Sequence, residues 1–258
     1  MMGERIGEGR TAEVFAWGDD AILKLWRADF PADDAHYEAE IMRAVLAAGV
    51  RAPMLKEVII HQGRVGLVIQ RASGPTMAST VFSNPAQGVQ LAHQLADLHL
   101  MIHTHNASGL PRLKDRLRAG IEQTVLTPPE KDHLLRDLDT LPDGDTVCHM
   151  DLHPYNVILA PDGPVVIDWI GAAAGPAAAD VARSVVLMRM FSVYAETDQV
   201  IAMVEQFIEA YLAHYLGQSS VTRSQVDRWI PLIAAARLSE GIEEENEGLL
   251  GIVRQALD

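Results

Sequence analysis

The sequence predicts an α+β protein of two lobes: a small, strand-rich lobe over residues 1–72 and a larger, mainly helical lobe over residues 73–258. Two observations predict this division. Up to residue 71, short segments rich in β-branched and aromatic residues alternate with turn signals, whereas apolar residues recur at helical spacing through most of the second part. Between the two parts, residues 72–88 are rich in small and turn-forming residues, and we expect them to form a linker.

In the first lobe, the chain starts with three strand-like segments, ERIGEG, AEVFAWG and DAILKLW. Residues 33–49 then place apolar side chains at helical spacing and end at Gly49, which predicts a helix. The last two segments, MLKEVIIHQG and RVGLVIQR, predict a β-hairpin that turns at Gln62 and Gly63.

In the second lobe, residues 87–105 predict a helix with one apolar stripe. The stripe consists of Leu91, Leu95, Leu98 and Ile102. The short runs VCHM, VIL and VVI, between residues 147 and 167, predict buried strands. The chain after Asp180 predicts three further helical stretches.

The charge of the chain bears on its partners. The formal net charge of −14 argues against a nucleic-acid partner, because nucleic acids bind basic surfaces. Residues 1–72 contain 9 Lys and Arg against 11 Asp and Glu, a net of −2, so the remaining residues contain 12 against 24, a net of −12. An acidic second lobe can attract cationic ligands, or the acidity can serve only solubility. The charge alone does not distinguish these two interpretations.

The sequence carries no sign of export or of membrane insertion. The N-terminus, MMGERIGEGR, is charged where a signal peptide has its apolar core. No uncharged apolar run reaches the roughly 18 residues that suggest a spanning helix. The single cysteine, Cys148, excludes an internal disulfide framework and is typical of a reducing compartment. We therefore expect a cytoplasmic protein with no membrane partner; the sequence does not predict its oligomeric state.

A glycine-rich turn, IGEGRTAEVF, lies between the first two predicted strands. Gly7 and Gly9 would let the backbone approach a ligand closely and turn its N–H groups toward phosphate oxygens. A glycine-rich hairpin turn also occurs without any ligand, so both interpretations stay open. No helix follows directly, and the turn is therefore not a dinucleotide-binding fingerprint.

Two charged residues are predicted to lie among apolar neighbours in the same lobe. Lys24 is in the middle of the strand AILKLW, and Glu38 is on the apolar face of the predicted helix. An ion pair between Lys24 and Glu38 would satisfy both charges, because a buried charge needs a partner. Alternatively, the lysine extends into solvent beside a hydrated glutamate.

Three polar residues stand among the apolar runs of CHMDLHPYNVILAPDGPVVIDW: Asp151, Asn156 and Asp168. Two carboxylates and an amide carbonyl are hard oxygen ligands, suited to magnesium that is bound together with substrate phosphates. Any one of these residues alone could be a turn or capping residue. The set, placed after a glycine turn and a strand lysine, favours a magnesium and phosphate site.

The order of these features resembles the protein-kinase-like superfamily: a glycine turn, a strand lysine, a helix glutamate, H-x-D-x-x-x-x-N and a later aspartate. The segment HMDLHPYNVIL, followed by VVIDW, is similar to the corresponding motifs of the aminoglycoside phosphotransferase and choline kinase group in particular. The resemblance covers roughly residues 3–185 and implies a protein-kinase-like two-lobe fold.

The resemblance implies a role for each residue of the later motif. Asp151 would be the catalytic residue that accepts the proton of the acceptor hydroxyl or orients it. Asn156 and Asp168 would bind Mg²⁺ against the nucleotide phosphates.

The resemblance also implies a nucleotide site in the first lobe. Lys24, positioned by Glu38, would bind the α- and β-phosphates of ATP or GTP, together with the turn of Gly7 and Gly9. The adenine would lie against the backbone of the segment between the lobes, at Gln70, Arg71 and Ala72.

Three departures from protein kinases bear on the acceptor. Ala12 stands where the turn would carry a third glycine, and His153 stands where protein kinases usually carry a lysine or arginine. Only eleven residues separate Asp168 from Asp180, and no A-P-E follows. Because this leaves little room for a segment that docks a peptide, the sequence favours a small-molecule acceptor.

Several nearby residues have more ordinary interpretations. Asp180 resembles the family's aspartate that braces the catalytic loop, and an ordinary helix N-cap is an equal alternative. We expect His149 to support the loop by hydrogen bonding and Cys148 to be a packed thiol. His99 and His103 are spaced for metal binding, but the sequence offers no third ligand, so we do not expect a metal there.

An acidic cluster lies near the end of the chain. It contains Glu240, Glu243, Glu244, Glu245 and Glu247. Such a run is usually a hydrated helix face, but in the resembled family acidic residues of the second lobe contact amine-bearing substrates. The sequence leaves both roles open.

Taken together, these features predict an ATP- and magnesium-dependent kinase that phosphorylates a hydroxyl of a small molecule. An amine-bearing acceptor, aminoglycoside-like or an amino alcohol, ranks first on charge, and an uncharged metabolite is the competing acceptor. A nucleotide-binding regulator without turnover is a different class of function, although all five core residues are present. A protein kinase ranks third.

Overall fold

The structure, a computed structural model, describes residues 2–195 and 197–257. Its first lobe is an antiparallel sheet with one helix. The elements are β1 (Met2–Glu8), β2 (Ala12–Trp17), β3 (Ala21–Trp26), α1 (Ala32–Ala47), β4 (Leu55–His61) and β5 (Arg64–Gln70). The strand order across the sheet is β1-β2-β3-β5-β4. The predicted hairpin turns at Gln62 and Gly63, whose φ angles are 52° and 77°, as expected for a tight turn that twists with its strands.

The helix α1 buries the face that its apolar spacing predicted. Ile41, Met42 and Val45 are buried against the sheet, and Glu38 is only 2% exposed among them. The helix also contacts residues 169–171 of the second lobe. Glu38 therefore lies close to the place where the two lobes meet.

The connection between the lobes runs over residues 71–76, from the end of β5 to the next helix. It is held against the second lobe because Leu159 donates a backbone hydrogen bond to Pro75 O at 2.9 Å. Gly74 has a φ of 154°, and a Cβ there would lie 2.3 Å from Leu159 O, so only glycine fits. The predicted lobe boundary at residue 72 falls in this connection and stays a prediction.

The prediction of a linker over residues 72–88 is wrong in its middle, where the structure has the helix α2 (Met77–Ser83) and a 3₁₀ turn at Pro85–Gln87. Thr76 caps the helix, since its Oγ1 accepts a hydrogen bond from Ser79 N at 3.0 Å. Burial of Met77, Ala78 and Val81 then stabilises a short helix. A run of small residues is compatible with an extended linker, but here the burial of these apolar side chains stabilises a helix instead.

The second lobe is mainly helical, with short strands around the polar residues of the later motif. Its helices are α3 (Gly88–Ile102), α4 (Leu113–Gln123), α5 (Pro128–Thr140), α6 (Ala177–Met190), α7 (Asp198–Gln218), α8 (Arg223–Arg237) and α9 (Asn246–Leu257). Its strands are β6 (Thr146–Cys148), β7 (Val157–Ala160), β8 (Gly163–Val166) and β9 (Ala173–Gly175), paired as β6 with β9 and β7 with β8.

The core of this lobe forms around α6, which packs against α8 and α7, while α3 packs against α7. The predicted apolar stripe of α3 is buried. Most residues of α6 are buried, as expected for a helix that is covered on all sides. Among the residues that the structure describes, no helix is long and apolar enough to cross a membrane. The predicted two-lobe α+β architecture is confirmed.

Candidate active site

The later motif is brought together by the hairpin of β7 and β8. Asn156 directly precedes β7, and Asp168 follows β8 by one residue. Because the two strands are antiparallel, the start of one lies beside the end of the other, and Ile167 N donates to Asn156 O at 2.9 Å. Two residues that are distant in sequence therefore occupy the same edge of the second lobe.

Asp151 and Asn156 both lie in the loop between β6 and β7 and are hydrogen-bonded to each other. Asn156 Nδ2 donates to Asp151 Oδ2 at 2.8 Å and to Asp151 O at 2.9 Å. Asn156 is buried, whereas Asp151 remains partly exposed. With its NH₂ group bound to Asp151, the amide of Asn156 keeps its carbonyl oxygen as an acceptor.

The carboxylate of Asp151 is kept ionised by its surroundings. Burial by itself would raise its pKa, but the neighbouring His153 and Arg183 outweigh burial and lower the pKa below its ordinary value. The Nε2 of His153 lies 3.6 Å from Asp151 Oδ2. At neutral pH this group is a carboxylate that can accept a hydrogen bond from a ligand hydroxyl.

Lys24 joins the two lobes. Its Nζ lies 2.8 Å and 2.9 Å from the two carboxylate oxygens of Glu38 and 3.0 Å from Asp168 Oδ1. The ion pair with Glu38 is therefore formed, and the alternative of a lysine extended into solvent is excluded. The strand β3, the helix α1 and the end of β8 each contribute one charge to this cluster.

The charges of this cluster depend on one another. Burial would lower the pKa of Lys24, but the carboxylates of Asp168 and Glu38 outweigh it and raise the pKa above its ordinary value. Burial raises the pKa of Glu38, and the ammonium of Lys24 opposes that shift. Lys24 therefore remains protonated and holds a positive charge at the junction of the lobes.

Asp168 combines a left-handed backbone with a partly exposed carboxylate. Its backbone is left-handed, with φ 64° and ψ 67°, and its side chain is 39% exposed. A non-glycine residue in this region costs on the order of 1–3 kcal/mol, which the surrounding structure must offset. The set of Asp168 carboxylate and Asn156 carbonyl fits Mg²⁺, which prefers a few hard oxygen ligands completed by phosphates and water.

The turn of the first hairpin leaves room above β1 and β2. Gly9 N donates to Ala12 O at 2.8 Å, which closes the turn. A Cβ added at Gly7 or Gly9 would make only ordinary contacts, at 3.7 Å and 3.8 Å, with the protein itself. The fold alone therefore does not demand glycine at these two positions, and close approach of a ligand remains a reason for them.

The segment proposed for adenine offers fewer backbone donors than the sequence suggested. Gln70 N donates to Met54 O at 2.8 Å, and Arg71 N donates to Asp20 O at 3.0 Å. Within the described part of the chain, the N–H of Ala72 makes no hydrogen bond. Of the three residues, Ala72 is the one whose N–H is available to an incoming base.

Asp180 supports the loop between β6 and β7 through hydrogen bonds to its backbone. It is fully buried in the first turn of α6, and it accepts backbone hydrogen bonds from His149 N at 2.6 Å and from Met150 N at 2.8 Å. The N-cap of α6 is Pro176, so the alternative of Asp180 as an N-cap is wrong. His149 is also buried and accepts from Asp151 N at 3.1 Å through Nδ1, so it supports the loop as predicted.

Two histidines of α3 reach the same carboxylate. His99 Nε2 and His103 Nε2 lie 2.9 Å and 3.1 Å from Asp180 Oδ2. Their other ring nitrogens are hydrogen-bonded to Tyr211 and Tyr215 of α7, at 2.6 Å and 2.7 Å. Asp180 is thus a third group beside the two histidines, which the sequence spacing could not reveal, and the three side chains place one potential ligand atom each within 4.8 Å of one another.

The acidic cluster divides into two groups. Glu245 is buried and forms a two-point ion pair with Arg237, at 2.5 Å and 2.7 Å. Glu240 binds Arg237 at 2.9 Å and Arg183 at 2.6 Å. Glu243, Glu244 and Glu247 are exposed and make no ion pair among the described residues. The structural role therefore applies to two of the glutamates only.

The sequence analysis did not identify Arg183, which contacts the backbone of the loop between β6 and β7. Arg183 Nε donates to Met150 O at 3.0 Å, directly before Asp151, while its NH2 binds Glu240. The only sequence signal is its position three residues after Asp180, which places both on the same face of a helix.

Comparison with known proteins agrees with this geometry. A sequence profile described as the phosphotransferase enzyme family (APH) matches residues 3–225. No curated protein sequence is significantly similar to the chain.

Three solved structures share the architecture. A choline/ethanolamine kinase family protein from Mesorhizobium loti has a TM-score of 0.61 at 17% identity, covering 99% of this chain and 85% of its own. An aminoglycoside-3'-phosphotransferase of type VIII has a TM-score of 0.62 at 19% identity, covering 90% and 91%. The amicoumacin kinase hAmiN, in complex with AMP-PNP, Ca²⁺ and Ami, has a TM-score of 0.64 at 14% identity, covering 98% and 86%. At these identities the likeness shows the fold, which is the kinase-like two-lobe fold that the motifs predicted.

Proposed function

The chain belongs to the phosphotransferase enzyme family, and from this premise we propose that it transfers the γ-phosphoryl group of ATP, in the presence of Mg²⁺, to a hydroxyl of a small amine-bearing molecule. Membership of the family supports the general activity, that of a small-molecule phosphotransferase. The nucleotide, the metal and the acceptor are the proposed part.

One observation carries the proposal: the Nζ of Lys24 contacts Glu38 and Asp168 at once. Phosphoryl transfer asks a protein mainly to position the phosphates and to neutralise their charge. A lysine held in place by Glu38 supplies a fixed positive charge for the α- and β-phosphates. Its contact with Asp168 brings that charge to the carboxylate proposed to hold the metal.

Asp151 has the chemistry required next to the acceptor. It is ionised at neutral pH, partly exposed and held by Asn156. In the proposed step, Asp151 accepts the proton of the acceptor hydroxyl while the acceptor oxygen attacks the γ-phosphorus. A new P–O bond forms as the bond from the γ-phosphorus to its bridging oxygen breaks, and ADP leaves with that oxygen.

Asn156 and Asp168 would hold the metal through the amide carbonyl and the carboxylate. When bound, Mg²⁺ neutralises the negative charge that develops on the phosphate oxygens during transfer. In the first lobe, Gly7 and Gly9 would approach the phosphates and Ala72 would receive the adenine. Gln70, the last residue of β5, would lie beside the base at the end of the first lobe.

The proposal of an amine-bearing acceptor is supported by charge. Of the net charge of −14, −12 lies after residue 72, and three glutamates of the acidic cluster are exposed without a cationic partner among the described residues. An acidic surface raises the local concentration of cations. The aminoglycoside phosphotransferase among the similar structures agrees with this class of acceptor.

A coupled assay of ADP or GDP release tests the proposal across hydroxylated amines, sugars and antibiotics, with ATP or GTP, and with Mg²⁺ either present or chelated. We expect Mg²⁺-dependent turnover that Asp151→Ala abolishes. Magnesium-dependent nucleotide binding without turnover on any acceptor would favour a non-catalytic regulator instead. A neutral preferred acceptor would favour the kinase of an uncharged metabolite.

A further inference from the structure

An apolar pocket opens beside the catalytic loop. It lies between α2, the loop residues Pro154 and Tyr155, the C-terminal end of α6 and the N-terminal half of α7. Its empty volume is about 410 Å³ with the open mouth included. The described residues that line it all carry apolar or aromatic side chains. The principal ones are Val81, Phe82, Tyr155, Phe191, Met203 and Phe207.

The wall of this pocket is one side chain away from Asp151. Tyr155 and Phe191 pack edge to face, with ring centroids 5.3 Å apart, and Phe191 packs in the same way on His153 at 5.2 Å. His153 in turn reaches Asp151, at 3.6 Å from Nε2 to Oδ2. Tyr155 itself lies between Asp151 and Asn156 in the sequence. A molecule in the pocket would therefore lie against the residues that flank the proposed reaction centre.

The side chains at the mouth are exposed although they are large and apolar. Phe82 is 47% exposed and Tyr155 is 46% exposed, and both line the pocket. Apolar area that faces water is a source of binding free energy for a ligand that covers it. A concave, apolar site next to a few convergent polar groups is the usual form of a small-molecule site.

We infer that this pocket binds an apolar group of the acceptor, so that the acceptor is an alcohol with an alkyl or aromatic portion near its hydroxyl. This inference rests on the proposed phosphotransfer at Asp151, since that reaction places the acceptor hydroxyl beside His153 and Tyr155. An entirely polar acceptor would leave the pocket wall in water.

The same corner of the molecule also carries negative charge. Tyr194 follows Phe191 by three residues, and its pKa is raised by burial and by the carboxylates of Glu245 and Glu244. The negative charge of these glutamates therefore acts at Tyr194, three residues after a side chain of the pocket wall. An acceptor with both an amine and an apolar group would match the two features together.

Calorimetry with a matched series of amino alcohols tests the inference without requiring turnover. Ethanolamine, 2-(butylamino)ethanol and 2-(hexylamino)ethanol are titrated into protein saturated with AMP-PNP and Mg²⁺. We expect the affinity to rise about fourfold for each methylene that enters the pocket. Equal affinities across the series would overturn the inference.

Two variants of α7 locate the binding. Met203→Glu places a carboxylate on the pocket wall, and we expect it to remove the dependence on chain length. Ile201→Glu adds the same charge on the same helix but outside the pocket lining, so it should keep the dependence on chain length and controls for the effect of the charge on ethanolamine binding. A chain-length dependence that survives Met203→Glu would show that the alkyl group binds elsewhere and would contradict the inference.

A third variant covers the case in which Met203→Glu does not fold. Phe82→Gln changes an exposed side chain at the mouth and should weaken hexyl binding several-fold at an unchanged melting temperature. Measuring ADP release with the same alcohols as acceptors distinguishes the proposed phosphotransfer from the proposed pocket. Tight binding of the hexyl compound without turnover would count against the phosphotransferase reaction on these acceptors, whereas turnover without chain-length dependence would count against the pocket alone.

Discussion

Asp180 holds Met150 in a left-handed conformation. Met150 has a φ of 62°, and its N–H donates to Asp180 Oδ1 at 2.8 Å, while the neighbouring N–H of His149 donates to Oδ2 at 2.6 Å. A non-glycine residue with such a φ persists only where the surroundings hold it. The buried carboxylate thereby determines the direction in which the chain enters the loop at Asp151.

Asp180→Asn should therefore lower the free energy of unfolding by about 3 kcal/mol and reduce turnover. The amide of asparagine replaces one acceptor oxygen by an N–H donor, which would point at a backbone N–H donor in a buried site. Breaking a buried charged contact costs about 3–5 kcal/mol. Urea unfolding and ADP release measure the two effects. Asp162→Asn, at an exposed turn between β7 and β8, is the control and should change neither. Unchanged stability in Asp180→Asn would contradict the bracing role.

Asp151→Ala should keep the affinity for ATP and Mg²⁺ and lose turnover by about 10²- to 10⁴-fold, the usual cost of removing a positioned general base. Asp151 accepts a hydrogen bond from Asn156 and lies beside His153 rather than in the lysine cluster, so nucleotide binding does not depend on it directly. Calorimetry with AMP-PNP and steady-state kinetics check the two parts. Turnover within a few-fold of the wild type would refute the assignment.

Asp168→Ala should instead weaken nucleotide binding, and only when Mg²⁺ is present. The variant removes a proposed metal ligand, but Lys24 keeps its two contacts with Glu38, so the lysine stays in place for the phosphates. ATP affinity measured with Mg²⁺ and with EDTA gives the comparison. If the affinity at saturating Mg²⁺ were unchanged, Asp168 would not be a metal ligand.

The buried His99 should make the protein less stable as the pH falls. Burial, and next the charge of His103, lower the pKa of His99 to about 4, against the pull of Asp180. The unfolded chain takes up a proton near pH 6.5, whereas the folded chain does so only near the lowered pKa. Between these values, unfolding binds the extra proton, and the free energy of unfolding should fall by about 1.4 kcal/mol per pH unit.

Urea unfolding at pH 7, 6 and 5 measures this slope. Burial also lowers the pKa of His149, so that residue adds to the slope in the wild type. His99→Asn should reduce the slope by about 1.4 kcal/mol per pH unit, which corresponds to one proton, and leave the contribution of His149. An unchanged slope in His99→Asn would mean that His99 does not remain neutral in the folded protein.

Replacing the three exposed glutamates, Glu243, Glu244 and Glu247, by glutamine should raise KM for a cationic acceptor and leave KM for ATP nearly unchanged. Long-range attraction is screened by salt, since the Debye length falls from about 10 Å at 0.1 M to about 3 Å at 1 M. The acceptor KM of the wild type should therefore rise with ionic strength, and that of the variant should rise less. A changed melting temperature with unaltered kinetics would indicate a structural role only.

A large part of the fold and of the site could be predicted from local patterns. The strands and the helix of the first lobe, the apolar stripe of α3 and the kinase-like order of motifs are confirmed. The linker over residues 72–88 was the main error, because small residues permit a coil locally. The capping by Thr76 and the burial of Met77 and Val81 favour a helix there.

The sequence by itself determined which polar residues stand among apolar runs and in what order, because periodicity, turns and short motifs depend on neighbours within a few positions. It identified Lys24, Glu38, Asp151, Asn156 and Asp168 as one set before any contact between them was known. Their catalytic roles rest on the resemblance and remain to be tested.

Only the tertiary structure decided which distant residues meet. His99 and Asp180 lie 2.9 Å apart across 81 positions of the sequence, and Glu240 is bound by Arg183 from 57 positions away. The apolar pocket likewise joins α2, the loop residues Pro154 and Tyr155, α6 and α7. Such contacts form when amphipathic elements bury their apolar faces against each other, and the partner of each face is chosen by the packing of the whole chain, which no local pattern encodes.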